Sequence, residues 1–89
     1  MNQSAAKDAD KADAAMNVVY KKLMAKLDLT DKAKLKKAQR AWLVFRDADA
    51  DSLASQETGG TMFPGIYSTY FQEITEARTK ELKTALTGL

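Results

Sequence analysis

The apolar positions recur at helical spacing along almost the whole chain. At 100° per residue, Ala5, Ala9, Ala12, Met16, Val19, Tyr20, Leu23 and Leu27 fall within one stripe, which predicts an amphipathic helix over residues 4–27. The first half of that stripe is lined only with Ala, so a partner can approach closely there but little apolar surface is buried. Residues 31–54 predict a second helix with Leu35, Ala38, Ala41, Trp42, Phe45 and Leu53 on one face. Leu43 and Val44 lie off that face, and so wide a stripe implies packing on two sides. Residues 65–87 predict a third helix, with Tyr67, Tyr70, Phe71, Ile74, Leu82 and Ala85 facing inward and Gly88 as its stop.

The breaks are short. Asp28-Leu29-Thr30-Asp31 separates the first two helices, and Thr30 or Asp31 is placed to cap the second. So brief a turn implies antiparallel neighbours. The longer interruption is Glu57–Gly65, where Gly59-Gly60 permits positive φ and Pro64 either ends an extended segment or starts the next helix. Met62 and Phe63 are large apolar residues in that loop. They read as a plug for one end of the bundle, with an exposed contact patch as the alternative. The expected architecture is all-α: one domain over residues 1–89, a three-helix antiparallel bundle with one long loop between helices two and three.

Charges interrupt the stripes at a few places. Asp13 and Asn17 sit at the edge of the first, Arg46 beside Trp42, Asp49 between Phe45 and Leu53, and Arg78 in the middle of the third. A charge on a buried face must find a partner or reach water. Asp49 and Arg78 are expected to approach each other, with Asp47 as the alternative partner. Arg46, Asp47, Asp49 and Arg78 are therefore assigned to a structural charge network.

Composition narrows the chemistry. With 89 residues, 45% hydrophobic and 29% charged, the chain has one modest core and no room for a deep cavity. There is no Cys and hence no disulfide, and there is no His, which removes the commonest general base and metal ligand together. Ser4, Ser52, Ser55 and Ser68 have no imidazole to activate them, so a non-enzymatic role is expected, with no cofactor. No apolar run approaches the ~18 residues of a membrane span, and no basic-then-apolar leader is visible.

Two charged stretches invite a binding reading. Asp47-Ala48-Asp49-Ala50-Asp51 has the alternation of a calcium loop, but its sixth and twelfth positions are Ser52 and Thr58 rather than Gly and Glu. On a helix, alternate residues also point 200° apart, so an acidic solvated segment is the better reading and no metal site is assigned. Between Tyr20 and Arg40, eight Lys and Arg stand against Asp28 and Asp31, a local charge of +6 gathered at one end of the hairpin. Such a pole attracts anions. The chain has no known nucleic-acid motif and its aromatic residues lie on core stripes, so nucleic acid is not the favoured partner. Lys32, Lys34, Lys36 and Lys37 of the pole, Asp49 and Asp51 of the acidic segment, and Met62 and Phe63 of the loop are the candidate partner-binding residues.

Four short motifs, in order, resemble the lysozyme inhibitor LprI family of small bacterial envelope proteins. Met16-Asn17 with Tyr20 is similar to its Leu-Asn-x-x-Tyr. Leu35-Lys36-Lys37-Ala38-Gln39-Arg40-Ala41-Trp42 followed by Phe45-Arg46-Asp47 is similar to its Leu-x-x-(Ala/Ser)-Gln-(Arg/Lys)-x-Trp-x-x-(Phe/Tyr)-Arg-Asp. Gly59-Gly60-Thr61 and Ile74-Thr75 with Arg78-Thr79 and Leu82 resemble its Gly-Gly-Ser/Thr and Leu-Thr-x-x-Arg-Thr-x-x-Leu. Relatives usually carry two cysteines where Ala50 and Tyr70 stand here. The resemblance implies a helical periplasmic or secreted domain that binds a protein partner rather than catalyses. Inhibition of a lysozyme-type hydrolase is the property of the family's namesake. The reading set against it is binding of an anionic polymer or surface by the Lys-rich pole.

Overall fold

The computed structural model describes residues 3–59 and 64–89. Three helices account for nearly all of them: α1 (Gln3–Lys26), α2 (Leu29–Thr58) and α3 (Pro64–Thr87). The chain is all-α, and the helices form an antiparallel bundle in which α1 and α3 run the same way. A 30-residue helix is about 45 Å long, and α2 sets the longest dimension of the molecule, 45 × 22 × 16 Å.

Capping chemistry places the ends, and it differs from the sequence expectation at two of them. The N-cap of α2 is Asp28, not Thr30 or Asp31. Its side chain accepts the Asp31 backbone N–H at 2.8 Å, so the helix begins two residues earlier than the apolar stripe suggested. At its other end α2 continues through Glu57 and Thr58 and stops at Gly59, whose φ of 67° is the left-handed conformation glycine adopts freely. Pro64 is the first residue of α3, where its missing N–H costs no helical bond. Both helices therefore extend into the stretch that the sequence reads as a loop. Met62 and Phe63, read as a plug or a contact patch, lie outside the described residues.

The packing is unequal. The most extensive contact is between α1 and α3, α2 meets α3 less closely, and α1 and α2 scarcely touch. The core cluster joins Met16, Val19 and Leu23 of α1 to Leu82 of α3, with Tyr20, Leu27, Leu35, Trp42, Leu43 and Leu86 packed around it. Each fully buried side chain of this size contributes about 1.5–3 kcal/mol. The α1–α3 approach is close because the facing residues are small: Ala9 and Ala12 on one side, Thr75 and Thr79 on the other, all buried. Both threonine hydroxyls donate to carbonyls one turn back, to Phe71 at 2.7 Å and to Thr75 at 3.0 Å, so burial leaves neither unsatisfied.

Helix α2 departs most from expectation. Its buried residues are Gln39, Arg46, Ala50 and Ala54, none of which is a large hydrophobe. Trp42 is half-buried, whereas Phe45 is 55% exposed and Ala38 and Ala41 face solvent. The inward face is thus rotated from the one the apolar residues mark. Ala50 and Ala54 admit close contact, while Gln39, Trp42 and Arg46 fill the space that aliphatic side chains occupy elsewhere.

Candidate functional site

A polar seam runs through the middle of the bundle, and it is built from the motif residues. Arg46 sits at the meeting of the three helices. Its Nη1 donates to Asp13 Oδ1 of α1 at 2.9 Å, and its Nε donates to Asp47 Oδ1 at 3.0 Å. The guanidinium lies 3.9 Å from the Phe71 ring centroid of α3 and 5.3 Å from that of Trp42. Planar stacking with in-plane hydrogen bonds uses both faces of what arginine offers. Asn17 Nδ2 reaches the other Asp13 oxygen at 3.5 Å, one turn along α1.

Arg78 of α3 continues the seam. Its Nε donates to Gln39 Oε1 at 3.0 Å and its Nη1 to Glu81 Oε1 at 3.0 Å. The Gln39 amide in turn points at the Met16 sulfur, 3.5 Å away, so one side chain of α2 touches both neighbours. The Arg78 guanidinium stands 5.9 Å from the Trp42 ring, so this indole has two cations near it.

The expected Asp49–Arg78 approach is not what the structure holds, and Asp47 does not replace Asp49. Arg78 turns to Gln39 and to Glu81 on its own helix, while Asp47 pairs with Arg46. Helical geometry explains the exchange. Asp49 lies nearly a full helical turn beyond Arg46 and farther still from the level of Gln39, where Arg78 crosses α2. Asp49 is half-buried and Asp51 exposed, each on its own side of the helix as the 200° spacing requires. Gln39 is the residue that phasing undervalues: its polarity hides its inward position, and the Gln-Arg motif piece is the signal for it, whereas Asp13 stands at the edge of the first stripe, where phasing puts it.

Two tyrosines flank the far end of α2. Tyr70 donates to Glu57 Oε2 at 2.6 Å, and this hydrogen bond raises its pKa above 10.0, with Glu73 adding to the effect by its charge. The Tyr67 pKa is raised as well, first by burial and then by Asp47, against the lowering influence of Arg46. An open groove of about 710 Å³ runs between α1 and α3 over Ala12, Ala15 and Ala77, rimmed by charges of both signs.

The outer face of α2 is the opposite of its seam. Val44 is 72% exposed and Phe45 55%, and with Ala41 and Ala48 they form an apolar strip on the solvent side. Helical phasing sets Lys34, Lys37 and Arg40 on the same side toward the N-terminus, and Lys36 on the opposite flank. All four are exposed, while Lys32 is partly buried.

A family model described as lysozyme inhibitor LprI matches residues 1–82. The chain belongs to the LprI family. It is similar to an uncharacterised protein of Rhizobium meliloti (strain 1021), 35% identical over 96 aligned positions that cover 93% of this chain and 69% of that one. No solved structure matches it. Among the described residues, no helix of this LprI-family chain is long and apolar enough to cross a membrane. The residues that carry the family likeness are largely those of the seam: Asn17, Gln39, Trp42, Arg46, Asp47 and Arg78. Phe45 is the aromatic member of the central motif that turns outward.

Proposed function

We propose that this chain is a non-catalytic protein of the bacterial cell envelope that binds and inhibits a lysozyme-type hydrolase, using the outer face of α2. The match to the LprI family over residues 1–82 carries the reading of the partner class. The choice of face rests on Phe45 and Val44, two large apolar side chains left in water beside the family's central motif. An exposed aromatic ringed by smaller apolar residues is the usual centre of a protein interface.

The chemistry of the target suits that face. A glycosidase cleft carries two carboxylates and an apolar floor for sugar rings. Phe45 and Val44 supply apolar contact for the floor, and Arg40 with Lys37 and Lys34 supplies cations for the carboxylates. Arg40 is one turn from Val44, within reach of one cleft. Asp49 and Asp51 lie beyond Phe45 and help steer a cationic enzyme into place.

The test is lysis of bacterial cell walls by a lysozyme with increasing amounts of this protein. The expected result is slowed lysis, with potency about tenfold lower or worse for Val44→Ser with Phe45→Ser and an unchanged melting temperature for that variant. Undiminished lysis at a large excess of the wild-type protein overturns the reading.

A further inference from the structure

We propose that the hairpin end of the molecule is a docking site for an anionic bilayer surface, on which the domain stands end-on. This is a separate proposal from the hydrolase reading: it shares Lys34 and Lys37 with that face but is centred on Leu29 at the tip, and the vesicle test below contains no hydrolase. The antiparallel α1–α2 connection brings Lys26 at the end of α1 to the same end of the molecule as Lys34, Lys36 and Lys37 in the first turns of α2, all four exposed. The pole has Asp28 and Asp31 as its acids within residues 20–40, and Asp28 is engaged in capping α2.

Two observations favour a ligand over an incidental charged surface. Leu29, the first residue of α2, projects from the tip at 84% exposed, surrounded by this charge. The opposite end of the bundle carries the reverse sign, with Asp8, Asp10, Asp51, Glu57 and Glu73 all exposed there. Leu29 and Glu57 are about 42 Å apart along α2, several screening lengths at physiological salt. An external surface therefore meets each pole separately, and the net charge of +2 understates the attraction.

A bilayer fits this pole better than a nucleic acid does. Tyr20 and Trp42 are half-buried against the core, which leaves no exposed aromatic at the tip for base stacking. An apolar tip within a ring of lysines gains from the boundary between headgroups and acyl chains. Repulsion of the acidic end keeps the long axis upright and holds Val44 and Phe45, about 22 Å or more from Leu29 along α2, clear of the surface.

The experiment is co-sedimentation of the full chain with vesicles of phosphatidylglycerol and phosphatidylcholine in equal parts, against vesicles of phosphatidylcholine alone. Binding is expected only to the anionic vesicles, weakening as salt rises. Each lysine removed should lower partitioning roughly fivefold, so Lys34→Glu, Lys36→Glu and Lys37→Glu together should lower it about a hundredfold or more. These side chains are exposed, and circular dichroism checks that the variant folds. In anionic vesicles containing brominated lipid, emission from Leu29→Trp should be quenched while that of Trp42 in the wild type is not. Equal binding to neutral vesicles, indifference to the triple charge reversal, or quenching confined to Trp42 overturns the proposal. So does retention on heparin or duplex DNA without any binding to the anionic vesicles.

Discussion

Arg46 has exchanged most of its water for Asp13, Asp47 and the ring of Phe71; its side chain is 10% exposed. A guanidinium held this way is stable only while its partners remain, because a buried charge without compensation costs several kcal/mol. Its partners are less committed. The Asp13 side chain is 39% exposed and can return to water. The expected loss of stability is therefore lopsided. Arg46→Ala should cost about 2–4 kcal/mol, from lost stacking on Phe71 and Trp42 and the cavity left behind. Arg46→Met keeps much of the packing and should cost about half as much, and Asp13→Asn about 1 kcal/mol. Urea denaturation checks the order. An Asp13→Asn cost as large as that of Arg46→Ala would assign the stability to the ion pair instead of the stacking.

The three helices were legible in the sequence to different depths. Helix α1 was read nearly to the residue, since its buried positions Ala9, Ala12, Met16, Val19 and Leu23 are apolar and periodic. Helix α3 was read on its aromatic side. Thr75 and Thr79 escaped because they count as polar although their hydroxyls are bonded within the helix. Helix α2 was found but its rotation was misjudged. Phasing follows large apolar residues, and the inward face of α2 uses Gln39, Arg46, Ala50 and Ala54 instead. Phasing therefore predicts an inward Phe45 and does not reveal the outer strip that it forms with Val44. One tie at the end of α2 has a pH signature. Tyr70 of α3 donates across to Glu57 of α2, and its pKa is raised above the 10.0 of the free side chain. A group whose folded pKa lies above the unfolded one stabilises fully below the unfolded value and loses that contribution as pH climbs through the folded one. Stability should therefore fall above pH about 10, and Tyr70→Phe should flatten that fall with little change near neutrality. Thermal melts across the alkaline range measure it, and tyrosinate absorbance should place Tyr67 and Tyr70 both above 10.0.

At the scale of the whole molecule, two kinds of cohesion coexist. α1 and α3 are joined by apolar contact and close backbones, whereas α2 sets Leu35, Trp42 and Leu43 against the edge of that core and is otherwise held by long polar side chains with small residues between. Apolar contact is indifferent to small rotations, while hydrogen bonds from Gln39 and Arg46 are not. The pairing of α1 with α3 should accordingly be the last to open. In native-state hydrogen exchange, amides around Met16–Leu23 and Thr75–Leu82 should approach the global unfolding free energy, and those of α2 should exchange through a smaller opening. Uniform protection across the three helices would mean that the seam is as cohesive as the core.

The outward turn of Phe45 beside the inward turn of Arg46 separates two kinds of information on one helix. The residues that hold α2 in the bundle, Gln39 and Arg46 first among them, change only at a cost in stability, and they face inward. Lys37, Ala41, Val44 and Ala48 face outward and are exposed. A lineage built on this plan is free to acquire new targets by redrafting those outer positions while its recognisable signature stays intact. Two members with the same seam need not share a prey, and the outer strip is the place to compare them.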